Sequence, residues 1–246
     1  MCIRDSNISF VGSLYTEKCP YDKVKNLSPK ISGYLHGIMK AQEKIYGYYF
    51  VEELLSDELV DEFVKNYDGY YLAGEEDLLT KKRTLAQFYI GNKITAMERV
   101  DTFKYLSEKF EVDIYTASDT KEIPKLENHG TIMTHTKMPI VFNKSTINLN
   151  PTSKPIRSGI PLRIFDLLAC EGFVLCNYQS DLLNEFLPGE ELDIYSSIEE
   201  LEEKIRYYLS HTDVCREIAH NGYENVSKHH TYPLRLEQMF RLGEHR

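Results

Sequence analysis

The chain has 246 residues, enough for one large domain or two small ones, and its 42% apolar and 27% charged content is ordinary for a soluble globular protein. A formal net charge of −9 leaves no basic excess to release counterions from a nucleic acid, so nucleic acid is excluded as a generic partner. No apolar run approaches the roughly 20 residues of a membrane span, nothing reads as a secretory signal, and five cysteines without C-x-x-C spacing suit a reducing cytoplasm.

Met1 to Ser6 (M-C-I-R-D-S) shows no cap and no periodicity and resembles a translated sequencing adapter, so it is read as a non-native leader and left out of the fold. Ile8 to Val11 alternates as a strand, and Gly12-Ser13 turns off its end, either as a plain turn or as backbone lying against a ligand. From residue 21 to residue 90 strand patterns give way to helical ones. Leu55, Leu59 and Phe63 recur every four residues, and Leu78, Leu85 and Tyr89 mark another helix. Tyr34, Tyr46, Tyr48, Tyr49, Tyr67, Tyr70 and Tyr71 fall in this block and are read mainly as packing within a small bundle, with a binding face as the alternative. The sheet pattern resumes afterwards, so the block is expected to be a helical insertion.

Ala96, Val100, Phe103 and Leu106 form an amphipathic stripe. Glu111 to Thr116 and Gly130 to His135 read as strands, and Ile140 to Lys144 as a short helix. The stretch from Ser145 to Asn177 then reads as strand, loop, helix and strand. Ile147 and Leu149 alternate with polar neighbours; Lys154, Arg157, Ser158 and Gly159 form a loop; Pro161 stands near the start of a helix whose apolar face is Ile164, Phe165, Leu167 and Leu168. A glycine-containing loop feeding a helix N-terminus, with cations beside it, can hold a phosphate. An ordinary β-α turn with surface Lys and Arg fits the same residues equally well. Beyond it, Glu191 to Tyr195 is a strand and Ser197-Ile198-Glu199-Glu200 a capping box opening a helix. Two further helices follow, Val214 to His229 and Leu234 to Leu242. His229 and His230 have no acidic or Cys partner at ligand spacing and are read as a helix-end pair rather than metal ligands. Cys170 and Cys176 are read as small core residues.

Alternating strands and helices predict an α/β fold, a Rossmann-like parallel sheet with helices on both faces and the helical insertion after the first strand. Ligands on such sheets bind at the C-terminal strand edges, where Gly12, Thr116, His135 and Asn150 are expected. No G-x-G-x-x-G follows the first strand, which disfavours a dinucleotide oxidoreductase.

The string I-N-L-N-P-T-S-K-P-I-R-S-G-I-P-L-R-I-F-D-L-L-A-C-E-G-F-V-L resembles the C-terminal domain of GT-B glycosyltransferases, in the bacterial spore-maturation CgeB-like branch. F-V-G-S at Phe10 to Ser13, Arg216-Glu217-Ile218-Ala219, Gly222-Tyr223 and His230-Thr231-Tyr232 extend the resemblance over residues 7–246. It implies a nucleotide-sugar-binding half, with a separate N-terminal acceptor half-domain absent here. Asp166 then matches the carboxylate that binds the donor ribose, and Ser158, Gly159 and the helix N-terminus match the pyrophosphate site. Lys154, Arg157 and Arg163 are the cations, one of which should neutralise the departing nucleoside diphosphate. Gly12 and Ser13 match the phosphate-side loop, while Thr134 and His135 should approach the base.

Two departures accompany the resemblance. Ser158 and Asp166 stand where retaining GT-B enzymes carry two glutamates, and no Asp-x-Asp occurs, so neither a metal nor another cofactor is expected. The implied chemistry is sugar transfer with electrostatic stabilisation of the leaving diphosphate, weak or inactive in this half alone. A non-catalytic structural or interaction protein on the same scaffold is the alternative.

Overall fold

Six strands form one sheet, parallel throughout, and counted in chain order they lie side by side as third, second, first, fourth, fifth and sixth. The computed structural model describes residues 6–67 and 80–244; Tyr70, Tyr71 and Leu78 lie outside them. The strands are β1 (Ile8–Val11), β2 (Asp113–Tyr115), β3 (Glu127–Asn128), β4 (Ile147–Asn150), β5 (Val174–Asn177) and β6 (Asp193–Tyr195). The helices are α1 (Pro29–Glu43), α2 (Asp57–Lys65), α3 (Lys81–Thr84), α4 (Gly91–Ser107), α5 (Met138–Lys144), α6 (Leu162–Ala169), α7 (Leu182–Glu185), α8 (Ile198–Ser210), α9 (Thr212–His229) and α10 (Tyr232–Glu244). This is the Rossmann-like α/β architecture expected.

β4 is buried along its whole length, so its asparagines face the interior rather than water. Asn148 remains satisfied there: Ser9 Oγ donates to its Oδ1 at 3.1 Å, and its Nδ2 donates to the Phe142 and Phe173 carbonyls. The I-N-L-N alternation is therefore a pairing of apolar packing with internal hydrogen bonds, in a strand covered on both faces.

The helical residues between β1 and β2 build a core of their own around Leu35, Leu55, Phe63, Leu85 and Ile90. Tyr49 and Tyr89 are buried in it, whereas Tyr34 and Tyr48 are exposed. Helix α4 belongs to both cores. Ile94 packs into the helical one, and Phe103 and Leu106 pack against the sheet with Phe10 and Ile114. The single stripe read from the sequence is thus one of two buried faces.

One strand is misplaced by the sequence pattern. Residues 130–135 are not a strand; β3 is Glu127–Asn128. Asn128 Oδ1 accepts the Gly130 N–H at 2.9 Å, and Gly130 takes φ +72°, so an Asx turn ends the strand just where the pattern begins. The capping box forms: Ser197 Oγ accepts the Glu200 N–H, and the Glu200 carboxylate accepts the N–H of Ser196, one residue earlier than the ideal motif. Ser6, assigned to the leader, is buried, with its carbonyl accepting the Thr146 N–H. Among the described residues Cys19, Cys176 and Cys215 are buried, Cys170 is half-buried, and all four are free thiols. His230 lies under Phe186 with ring centroids 5.3 Å apart and takes an N–H from Arg235, and burial pulls its imidazole below the ordinary range.

Candidate donor cleft

In a sheet of this order the crevice expected to hold a ligand opens between β1 and β4, where the connections diverge. Here that point is closed by a side chain. Arg99, on α4, donates from Nη1 to the Ser13 carbonyl after β1 and from Nη2 to the Pro151 carbonyl after β4, each at 2.5 Å. Its guanidinium also lies over the rings of Phe10 and Tyr15. Burial pulls it below arginine's ordinary range, countered by Tyr15 and Glu98. Ser13 is engaged a second way, since its hydroxyl donates to Glu17 at 2.6 Å. Ser13 therefore meets Arg99 and Glu17, while the Gly12 N–H donates to the Tyr115 carbonyl at 3.2 Å.

The open space lies one strand further along. A cleft of about 190 Å³ is lined by residues 45–49, the loop after β4 (Ser153, Lys154, Arg157, Ser158, Gly159) and the loop after β5 (Asn177 to Asp181). One lining residue, Asn177, ties the two loops together: Thr152 N–H donates to Asn177 Oδ1 at 2.8 Å and Asn177 Nδ2 returns to the Thr152 carbonyl at 3.0 Å. Gly159 takes φ +82°, a left-handed conformation that favours glycine, and this leads the chain toward α6. The Gly159 N–H donates to Asp181 Oδ2 at 2.6 Å.

The four predicted residues in this cleft differ sharply. Lys154 is 4% exposed at its side chain, with Nζ 3.4 Å from Glu98 Oε1, 3.0 Å above the Tyr46 ring centroid and donating to the Ile45 carbonyl. Burial pulls its ammonium down to about 8 although Glu98 opposes the shift. Glu98 is 3% exposed, and neither of its oxygens accepts a well-formed hydrogen bond among the described residues. Burial pushes its carboxyl up, against the pull of Lys154, Tyr46 and Arg99. Arg157, in contrast, is 51% exposed, with Glu52 3.9 Å away. Ser158 and Gly159 are exposed beside it.

The remaining predicted residues lie outside the cleft lining. Arg163 and Asp166 pair with each other at 3.5 Å on the first turns of α6, and Arg163 also reaches Met138 and the Phe142 ring. Thr134 and His135 are exposed in the turn before α5. Sequence reasoning missed Glu98, Arg99, Asn177, Gln179 and Asp181. For Arg99 a signal existed: it falls on the Ala96–Phe103–Leu106 stripe, and a charge on an apolar stripe marks a buried polar contact.

A family model described as glycosyl transferase-like matches residues 95–241. No curated protein matches the chain. Among solved structures, the crystal structure of TarM resembles this chain with a TM-score of 0.47 and 12% identity, over 58% of this chain and 31% of that one. The chain thus spans under a third of TarM's length. Among the described residues no helix is long and apolar enough to cross a membrane.

Proposed function

This chain belongs to the glycosyl transferase-like family, and from that premise we propose that it carries the donor-binding part of a glycosyltransferase of the CgeB-like branch, taking a sugar from a nucleoside diphosphate. The observation that carries the reading is the exposed Arg157-Ser158-Gly159 loop, set in a cleft at the C-terminal strand edges and leading into α6. The unpaired N–H groups of a helix's first turn and an exposed guanidinium are complementary to a diphosphate.

In this reading Arg157 neutralises the charge that develops on the leaving diphosphate, and Ser158, Gly159 and the α6 N-terminus bind its oxygens. Asp181 must leave the Gly159 N–H for a phosphate oxygen to take it. Arg163 borders the same helix start, and Asp166 accepts hydrogen bonds from the ribose once released from Arg163. Gly12 and Ser13, engaged by Tyr115, Arg99 and Glu17, take no part in donor binding, and Thr134 and His135 are assigned to the side of the base from beyond the cleft lining. Lys154 contributes positive field from within the wall rather than a direct contact. No step requires a metal, and the acceptor half-domain completes transfer.

The test is thermal melting with UDP, GDP, dTDP, ADP or CDP, each with and without magnesium. A ligand that binds only the folded state raises the melting temperature. A rise with one diphosphate, independent of magnesium and lost in Arg157→Ala and Asp166→Ala, is expected. No rise with any of them overturns the reading and favours a non-catalytic protein on this scaffold, which the occupied Gly159 N–H would suit.

A further inference from the structure

On the opposite half of the sheet, separated from the cleft by β1, three ligand-type side chains converge for a reason the donor reading does not supply. Asp113 begins β2 and is in register with Glu127 on β3, the edge strand. Two carboxylates facing each other on neighbouring strands repel, and a sheet tolerates them best with a cation between. His129, two residues after Glu127, returns to the same face of the edge. Its Nε2 is 2.5 Å from Asp113 Oδ1 and 3.9 Å from Glu127 Oε1. One ligand atom from each residue lies within 4.8 Å of the other two. Among the described residues, neither carboxylate has a lysine or arginine within ion-pair distance.

We propose that Asp113, Glu127 and His129 form a binding site for a divalent transition-metal ion of the zinc class. Two ligands about 2.1 Å from a tetrahedral ion stand about 3.4 Å apart. The two separations from His129, 2.5 and 3.9 Å, bracket that value and no pair exceeds 4.8 Å, so shifts of up to about 1.5 Å seat all three. Glu127 is 69% exposed at its side chain and free to make its part of the adjustment. The other two are already oriented: His129 stacks on Tyr115 with ring centroids 4.8 Å apart, and Asp113 Oδ2 accepts the Ser6 hydroxyl.

The ion replaces the hydrogen bond between His129 and Asp113. The Nε2 lone pair becomes a ligand, and the displaced proton moves to Nδ1 or to solvent. An imidazole with two carboxylates suits zinc-class ions, whereas magnesium prefers an octahedron of oxygens and retains its water. Three protein ligands leave the fourth position to water. Because β3 has only two residues, a metal that ties Glu127 and His129 to Asp113 holds the edge strand onto the sheet.

The experiment uses the whole chain, stripped with a chelator, titrated calorimetrically with zinc chloride and melted with zinc or magnesium chloride. One equivalent should bind, with the melting temperature rising for zinc and not for magnesium. Glu127→Gln, at an exposed position that leaves the fold intact, should weaken binding about tenfold or more, and His129→Ala should abolish it. His229→Ala, outside the cluster, should bind as the parent does. Absence of zinc binding in the parent chain overturns the proposal, as does undiminished binding in both Glu127→Gln and His129→Ala. Neither outcome depends on whether a nucleotide binds the cleft.

Discussion

The C-terminal edge of the sheet carries two sets of charges that look alike in the sequence and differ in every physical respect. The inner set, Glu98, Arg99 and Lys154, is buried and partnered by protein. The outer set, Arg157, Arg163, Asp166 and Asp181, is exposed or half-buried and held by long or local contacts that a ligand can exchange. A buried charge stripped of its partner is costly, so the inner set is committed to holding loops. An exposed charge gives up a weak surface pair readily, so only the outer set is available to a ligand. Proximity to a cleft is therefore a poor guide to ligand binding; what matters is what the charge must leave behind.

Arg99 offers the strongest test. Arg99→Met keeps most of the volume and removes the donors to the Ser13 and Pro151 carbonyls, and should cost about 3–5 kcal/mol. Urea unfolding reads the loss directly, and a change below about 1 kcal/mol would show that the two loops hold without it. Lys154→Met should follow at about 3 kcal/mol, because Glu98 then keeps a buried carboxylate without its cation. Adding Glu98→Gln should recover much of that loss, and a double-mutant cycle measures the coupling. Additive losses would mean that the two residues do not act as a pair.

The sequence tells these sets apart only in part. Strand and helix alternation, the turn at Gly12 and the loop before α6 were legible because each depends on residues close in the chain. The difference between Lys154 and Arg157 was not. They sit three residues apart in one loop, and only the approach of α4 and Tyr46, brought in by distant segments, buries one and leaves the other in water. Arg99 shows the same limit from the other side. Its place on an apolar stripe signals burial, yet nothing local reveals that it closes the crevice between β1 and β4. The strand expected at residues 130–135 failed through local chemistry, since the Asn128–Gly130 turn was overlooked behind an alternating pattern.

Arg157→Ala belongs to the opposite class and should leave stability within about 0.5 kcal/mol of the parent. Its effect should appear in nucleoside diphosphate affinity, falling about tenfold or more with the loss of a charge-assisted contact. The contrast with Lys154→Met in the same two assays decides whether burial sorts the cations as argued. Loss of stability in Arg157→Ala without loss of affinity would reverse the assignment.

The smallest effect is expected where a surface carboxylate is tied to several donors, and it should show only as a function of pH. Glu202, on α8, lies 2.5 Å from Lys109 Nζ, accepts the Tyr105 hydroxyl at 2.5 Å and pairs with Arg206 at 2.7 Å. Those contacts, Lys109 foremost, hold its carboxyl down to about 2 from 4.5. Because the folded state binds this proton less readily than the unfolded chain, the contribution is complete above about pH 4.5 and disappears as the pH falls toward 2. Glu202→Gln should therefore flatten the acid limb of a urea-midpoint profile over that window, with a small and constant offset near neutrality. An unchanged acid limb would place the pH sensitivity of the α4–α8 contact on other groups and return Glu202 to the ordinary run of screened surface pairs.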